Sequence, residues 1–440
     1  MDGEVIGPGP YRATKLWNET IKLFRGGMPL RRHWANFRYY DWSFTGSEAV
    51  DYLHELLRRN HNFGPEVTRY QTLQLLRKFL KAHVIEDIKG HHGTEDFQDS
   101  GHLYRFPTLS PLKSFPTRSL LKDSNLWNKR HSVAIGDVHE CKLIRRKEIT
   151  AKQVDHIWKS MTVAHLKRVL GLISLDGVLN PTHVGGKHVV HNVFHVNKSG
   201  IVVLENKADD MPYWVVSAMR CLANWPNGND SKQPVYLGFE RDVLKTVGDY
   251  FQRLKEPLLT FHLYEVFVNI LSLLQEQEVA TEALQVSCLL LPPPNRRRLQ
   301  LLLRLMARVC QNPHLPPLND SVATRTLMVQ MFSHCVLRSA DEMDLDELLA
   351  TKLVTFMMEH HNAIFQVPSK LRHQVNEHLS HLRRTQFQRS YPEVYHKRFP
   401  TEESRAAVIP EKTSRFKPPL SFFNLKKPLQ PFQRSWSFRA

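Results

Sequence analysis

From Ala13 to Phe24 the apolar residues recur at helical spacing, with Leu16, Trp17, Ile21 and Phe24 on one side, and Gly26-Gly27 ends the run. His33 to Trp42 is crowded with aromatic side chains (Trp34, Phe37, Tyr39, Tyr40, Trp42) and predicts a short hairpin. Thr45-Gly-Ser-Glu48 places a hydroxyl and a carboxylate three residues apart, the spacing at which each satisfies an orphan N–H at a helix start. It opens a second helix with Val50, Leu53, Leu56 and Leu57 facing a core. Thr68 opens a third, running to His83 with Leu73, Leu76, Phe79 and Leu80 inward. Val84-Ile85 and Leu103–Phe106 flank a polar stretch and are expected to pair as two strands.

Beyond residue 150 the period is almost wholly helical. Amphipathic runs cover 154–172, 214–222, 242–254, 262–275, 281–291, 297–310, 324–337 and 346–365, with one short strand expected at Ile201–Leu204. Two ordered regions follow, 11–107 and 150–368. A Ser- and Pro-bearing linker over 108–149 joins them, and a helix followed by a polar, aromatic tail fills 369–440. The fold class is mainly α with a small β component: a winged-helix-like domain, then an all-helical one.

Charge sharpens this division. The 440 residues carry a formal +17, yet residues 1–107 and 171–370 hold only +2 and −2. The excess sits in two flanking segments, residues 108–170 (+8) and 371–440 (+9). From Lys412 onward seven basic residues and no acidic ones are interleaved with Phe416, Phe422, Phe423, Phe432, Trp436 and Phe438, a pattern suited to an anionic membrane surface. The five cysteines are scattered with no CxxC pair, which argues against a disulfide framework or zinc ribbon. No apolar run reaches the ~18–20 residues needed to span a bilayer. Ser110-Pro-Leu-Lys113 and Arg434-Ser435 have the form of kinase targets, so Ser110 and Ser435 are phosphorylation candidates. Lys142–Lys147 reads as an import patch or as simple linker charge.

Two sets of residues carry resemblances. Phe44-Thr-Gly-Ser-Glu-Ala-Val-Asp-Tyr-Leu53 and the closing Leu103-Tyr-Arg-Phe106 resemble a DEP domain. That likeness implies targeting to a membrane or receptor, with Arg25, Arg31, Arg32 and Arg38 near the hairpin as the candidates for acidic phospholipid. No DNA partner is expected, because Leu76, Phe79 and Leu80 interrupt the basic positions of the third helix. Tyr250–Phe261, containing Glu256-Pro-Leu-Leu-Thr260, Leu291-Pro-Pro-Pro-Asn295 and Leu353–Phe365 are similar to segments of RhoGAP domains. A Rho-family small GTPase is the partner this implies.

The resemblance fails where that family's chemistry lies. An arginine finger, worth on the order of 10³–10⁵ in rate, follows a Gly-apolar-aromatic pattern. The matching stretch here is Gly177-Val-Leu-Asn180, and no arginine stands between Arg168 and Arg220. The family's supporting cations fall on Gly248 and Gln252, and its GTPase-contacting asparagine on Leu327 or Thr326. Arg168, Arg241 and Arg253 are the candidates for a displaced finger. His183, His188, His191 and His195 have ligand-like spacing, but no cysteine or carboxylate stands nearby in the sequence, so neither metal nor cofactor is expected.

Across nearly the whole length, from Gly7-Pro-Gly-Pro-Tyr11 to Ser390-Tyr-Pro-Glu-Val-Tyr395, the chain resembles the DEP domain-containing protein 1 family, nearer its compact B form than its long A form. The expected function is a non-enzymatic regulator or adaptor of Rho-family signalling in proliferation or migration, cytoplasmic with peripheral plasma-membrane association. The alternatives are an active GTPase activator using a displaced arginine, and a nuclear, transcription-linked adaptor.

Overall fold

A computed structural model describes residues 4–35, 37–93, 96–108, 112–113, 149–226, 236–341 and 345–390. Ser110, Ser435, the Lys142–Lys147 patch and the basic aromatic tail lie outside the described residues. Residues up to 140 and 150–376 belong to one compact unit, while 141–149 and everything from Glu377 belong to a second.

The N-terminal part folds as helix α1 (Arg12–Gly27), strands β1 (Arg31–Ala35) and β2 (Arg38–Thr45), helices α2 (Gly46–Arg59) and α3 (Arg69–Lys81), then strands β3 (Glu86–Asp87) and β4 (Leu103–Arg105). The strands form one antiparallel sheet in the order β1-β2-β4-β3, with Phe44 opposite Tyr104 and Asp87 opposite Tyr104 on the far side. Both expected helix starts carry reciprocal capping boxes, Thr45 with Glu48 and Thr68 with Gln71. Aromatic rings fill the core: Trp17 meets Phe79 edge-on at 5.3 Å, and Phe24 packs against Phe44, Phe79 and Phe106.

The strand expected at Val84-Ile85 begins two residues later. Both residues are fully buried, and their amides donate to the Phe79 carbonyl, so they finish the turn after α3 instead of pairing with β4. Gly46 is a packing requirement. Its N–H donates to His102 O at 2.8 Å and Ser47 N–H to Ser100 O at 3.0 Å, drawing the 98–102 loop against the start of α2.

The second part is helical: α4 (Ala151–Val169), α5 (Gly186–Phe194), α6 (Tyr213–Ala223), α7 (Phe239–Gln252), α8 (Tyr264–Ile270), α9 (Gln277–Leu290), α10 (Pro293–Gln311), α11 (Thr324–Val336), α12 (Asp346–Glu359) and α13 (Ser369–Ser390). The strand expected at Ile201–Leu204 reduces to a single bridge between Val196 and Val202. Helices α9, α10 and α11 bury Leu284, Leu289, Leu302, Leu305, Met306 and Phe332 almost completely. The 256–260 turn is tied in by backbone and side-chain hydrogen bonds. Leu258 N–H and Leu259 N–H donate to Cys335 O and Val336 O at 2.9 and 3.0 Å, and Asn295 Nδ2 donates to Leu258 O at 3.2 Å. The two motif segments 256–260 and 291–295 thus meet in space.

Candidate functional site

The segment between α4 and α5 carries the position at which an arginine finger is expected. Buried Leu175, Val178 and Leu179 pin it, and Gly171 and Gly177 turn it with φ of +65° and +70°. Asn180 is exposed, but its side chain is engaged locally. Oδ1 accepts from the Thr182 N–H at 3.0 Å and the Thr182 hydroxyl at 2.7 Å, capping the turn over Pro181–His183. A neutral carboxamide held in this way offers no charge to a phosphoryl group.

Gly248 lies on the buried face of α7, where an added Cβ would sit 3.0 Å from Met331 Sδ of α11. Any side chain there would have to displace the half-buried Met331. Leu327, four residues before Met331, is half-buried on α11, and Gln252 is exposed at the end of α7. The packing of α7 on α11, marked by Phe251 against Phe332 at 5.8 Å, brings Gly248 against Met331, and none of the three positions carries a cation.

The three displaced-finger candidates differ. Arg168 Nη2 donates to His165 Nδ1 at 2.7 Å, and Nε2 of that buried histidine donates to Glu282 at 2.7 Å. Arg241 is clamped by both carboxylate oxygens of Asp320. Arg253 is exposed, and among the described residues no side-chain partner holds its guanidinium.

A feature with no distinct sequence signal covers the finger loop. Residues 7–11, just ahead of α1, and Arg12, its first residue, run onto the helical part. Gly9 N–H donates to Asn269 Oδ1 at 2.6 Å, Arg12 N–H to Glu265 at 3.1 Å, and Tyr11 N–H to Gly177 O at 3.3 Å. A Cβ on Gly177 would come within 2.9–3.1 Å of the Tyr11 ring and Pro10. Arg12 is the bolt: only 2% exposed, it donates to Val268 O at 2.6 Å and Ile6 O at 3.0 Å. Burial pushes its pKa down to about 10, with Glu265 opposing. Farther along, Gln71 Nε2 donates to Thr351 Oγ1 at 2.9 Å, and Lys113 pairs with Asp341 at 2.8 Å. Arg12→Ala should cost about 2–3 kcal/mol of stability through lost charged hydrogen bonds. Thermal unfolding and faster amide exchange at 268–270 would register it.

At the β1–β2 hairpin Trp34, Phe37, Tyr39 and Trp42 are 58–91% exposed. Phe37 and Trp42 adopt left-handed backbone (φ 61° and 57°), which bulky residues avoid. Arg31 pairs with Glu48 at 3.7 Å, while Arg32 pairs with Asp41 at 3.3 Å and stacks on Tyr39 at 4.2 Å. Arg38 is exposed and unpaired among the described residues. Arg25 stands apart from the other three: it donates to Pro107 O at 2.8 Å and covers Phe106, so it braces the fold. On α3, Arg69 is held by Asp51 and Asp99.

The histidine cluster gains a partner that chain order hides. His191 on α5 and His195 just past its end stack at 4.5 Å, and the return of the chain through Asn197–Gly200 brings Glu205 to 3.8 Å from His191. The expectation that no carboxylate stands nearby fails in space, because the Val196–Val202 bridge folds residue 205 back.

Residues 27–106 match the family described as "Domain found in Dishevelled, Egl-10, and Pleckstrin (DEP)", and residues 227–339 match the RhoGAP domain. The chain is 49% identical to DEP domain-containing protein 1B of Homo sapiens and 50% identical to that of Gallus gallus, with the whole of both chains covered in each case. It belongs to the DEP domain-containing protein 1 family. DEP domain-containing protein 1A of Xenopus laevis is 29% identical, covering 97% of this chain and 99% of its own. For this family member, the pairing of a DEP with a RhoGAP domain supports a role in Rho-family GTPase signalling. The RhoGAP match begins at residue 227, so Asn180 and its loop lie ahead of it.

Proposed function

We propose that the chain is a non-enzymatic regulator of Rho-family GTPases. Its RhoGAP-like part would bind a GTPase without supplying an arginine finger, and its DEP hairpin would seat the protein on an anionic inner membrane surface. The observation that carries this reading is Asn180, neutral and committed to Thr182, on a loop that Pro10 and Tyr11 already cover. Gly248, closed by Met331, supports it. Deleting a finger removes transition-state stabilisation and leaves ground-state contacts largely in place, so binding without turnover is the physical expectation. The test is GTP hydrolysis by Rho-, Rac- and Cdc42-type proteins with the full chain added, alongside its affinity for their GTP-loaded forms.

A second reading rests on Arg253. An exposed guanidinium with no partner among the described residues, one position past Gln252, could act as a displaced finger. If hydrolysis is accelerated, Arg253→Ala should abolish the acceleration while Arg168→Ala should not.

Membrane seating rests on exposed Trp34, Phe37 and Trp42 beside Arg38. Full chain should sediment with phosphatidylserine vesicles and less with neutral ones. Phe37→Ser with Trp42→Ser should weaken vesicle binding at least ~10-fold, since burying one large apolar side chain contributes about 1.5–3 kcal/mol. Unchanged partitioning of the double variant would remove the hairpin from the membrane account.

A further inference from the structure

We propose that residues 4–12 form a releasable strap that couples the DEP part to the loop carrying Asn180: seated, the strap covers and immobilises the loop, and lifted, it frees it. One end is held by the DEP part. Asn62 lies in the turn between α2 and α3 and is only 7% exposed. Its Oδ1 accepts the Ile6 N–H at 3.0 Å, and its Nδ2 donates to Glu4 O at 2.9 Å. The other end is held by α8 and the loop, where Gly9 bonds Asn269, Tyr11 bonds Gly177, and Arg12 bonds Glu265 and Val268. The bond from Arg12 Nε to Ile6 O ties the two ends together. From Ile6 to Tyr11 the chain can span at most ~18 Å.

The strap grips the loop at one peptide group. Tyr11 N–H donates to the carbonyl of Gly177, and the N–H of the same peptide unit, on Val178, donates to Leu175 O at 3.0 Å. That unit is therefore held from both sides, and Leu179 N–H adds a second bond to Leu175 O at 2.9 Å. When the strap lifts, the Gly177 carbonyl loses its bond to Tyr11, and the Tyr11 ring and Pro10 leave the space beside Gly177. Gly171 and Gly177, both at positive φ, are the positions at which the freed loop pivots, because glycine moves between backbone basins without a Cβ clash.

The strap can come away without the rest of the fold. Of residues 4–11 only Gly9 is buried; Ile6 and Tyr11 are half-buried and the others exposed. Tyr11 sits at φ 55° and ψ 39°, a left-handed conformation that costs a bulky residue energy and is relaxed on release. Segments with few buried contacts open at less cost than the whole molecule. Coupling between two sites needs an element with two arrangements that both sites bias. The strap is that element, since the DEP turn biases it through Asn62 and the loop feels it through Gly177.

Hydrogen exchange on the full chain tests the coupling at the Val178 and Leu179 amides. Gly9→Pro deletes the N–H that bonds Asn269 and puts ring carbon where that acceptor lies, while its Cβ meets only Lys15 Nζ at 3.8 Å. It should speed exchange at Val178 and Leu179 at least ~10-fold. Asn62→Ala alters only the DEP end and should speed the same two amides at least ~3-fold. Combined, the two changes should do no more than Gly9→Pro alone, since a strap already lifted transmits nothing. Thermal unfolding, and exchange along 284–290 and 299–306 in α9 and α10, should stay near wild type in all three variants. Unchanged exchange at Val178 and Leu179 in Gly9→Pro would overturn the proposal. So would an Asn62→Ala effect that is absent or that adds in full to Gly9→Pro. Equal acceleration in α9 and α10 would overturn it too, as the mark of global loosening.

Discussion

Added in excess to a GTP-loaded Rho-, Rac- or Cdc42-type protein, the full chain should leave hydrolysis within about threefold of its intrinsic rate, where an arginine finger would contribute on the order of 10³–10⁵. In free energy the missing finger is ~4–7 kcal/mol of transition-state stabilisation. Nothing at Asn180, Gly248, Gln252 or Leu327 can supply it, because none of the four carries charge. Installing the finger alone should recover little. Asn180→Arg places a cation on the loop, but Met331 still closes the Gly248 position, and Tyr11 and Pro10 still lie against Gly177. An increase of no more than about 10-fold is expected from that single change, since residues acting as a catalytic unit are strongly non-additive. Retained affinity for the GTP-loaded form, measured in the same preparation, would separate a binding module from an inert one. Acceleration of 10³-fold or more by the wild-type chain would end the non-enzymatic reading.

Replacing Gly46 with alanine should unfold the DEP part. A Cβ at that position would lie 1.9 Å from the backbone oxygen of Gln98 and 3.2 Å from that of Ser100. The obstacle is main chain and cannot rotate aside. It cannot retreat either without breaking the hydrogen bonds from Gly46 to His102 and from Ser47 to Ser100, which seat β4 beside β2. A loss of about 4 kcal/mol or more is expected, at the exceptional end for a single substitution. Gly26→Ala is the control. It sits at the end of α1 with nothing within 4 Å of the added methyl, so it should be neutral or stabilising by up to about 1 kcal/mol. Thermal unfolding followed through buried Trp17 reads both. A Gly46→Ala protein melting within a few degrees of wild type would mean that the 98–102 loop yields.

What could be read from the sequence was mostly local. The capping boxes at Thr45 and Thr68 and the periodic faces of α1 to α3 depend on neighbours three or four residues apart, and those are printed in the chain. A third such box, Thr150 with Gln153, has the same spacing ahead of the amphipathic run that follows it. Val84 and Ile85 misled because a short apolar pair fits a strand and a buried helix exit equally well. That residue 180 is a neutral asparagine could be read from the chain, whereas its engagement with Thr182 and the covering of its loop by Pro10 and Tyr11 could not. The first is a turn of side-chain geometry, and the second joins residues more than 160 apart. Glu205 is remote from His191 along the chain for a similar reason, since a reversal through Asn197–Gly200 brings it back.

The contact of residues 9–12 with α8 also fixes an order of events during synthesis. Gly9 leaves the ribosome some 260 residues before Asn269, the side chain that receives its amide. At roughly 5–20 residues per second, that interval is about 13–50 s. Through it the aromatic core around Trp17 and Phe24 can form, but Arg12 has no carbonyl of α8 to bond and must wait in water, where its charge is cheap. The guanidinium enters its buried seat only once α8 has been made, so this contact cannot precede that helix.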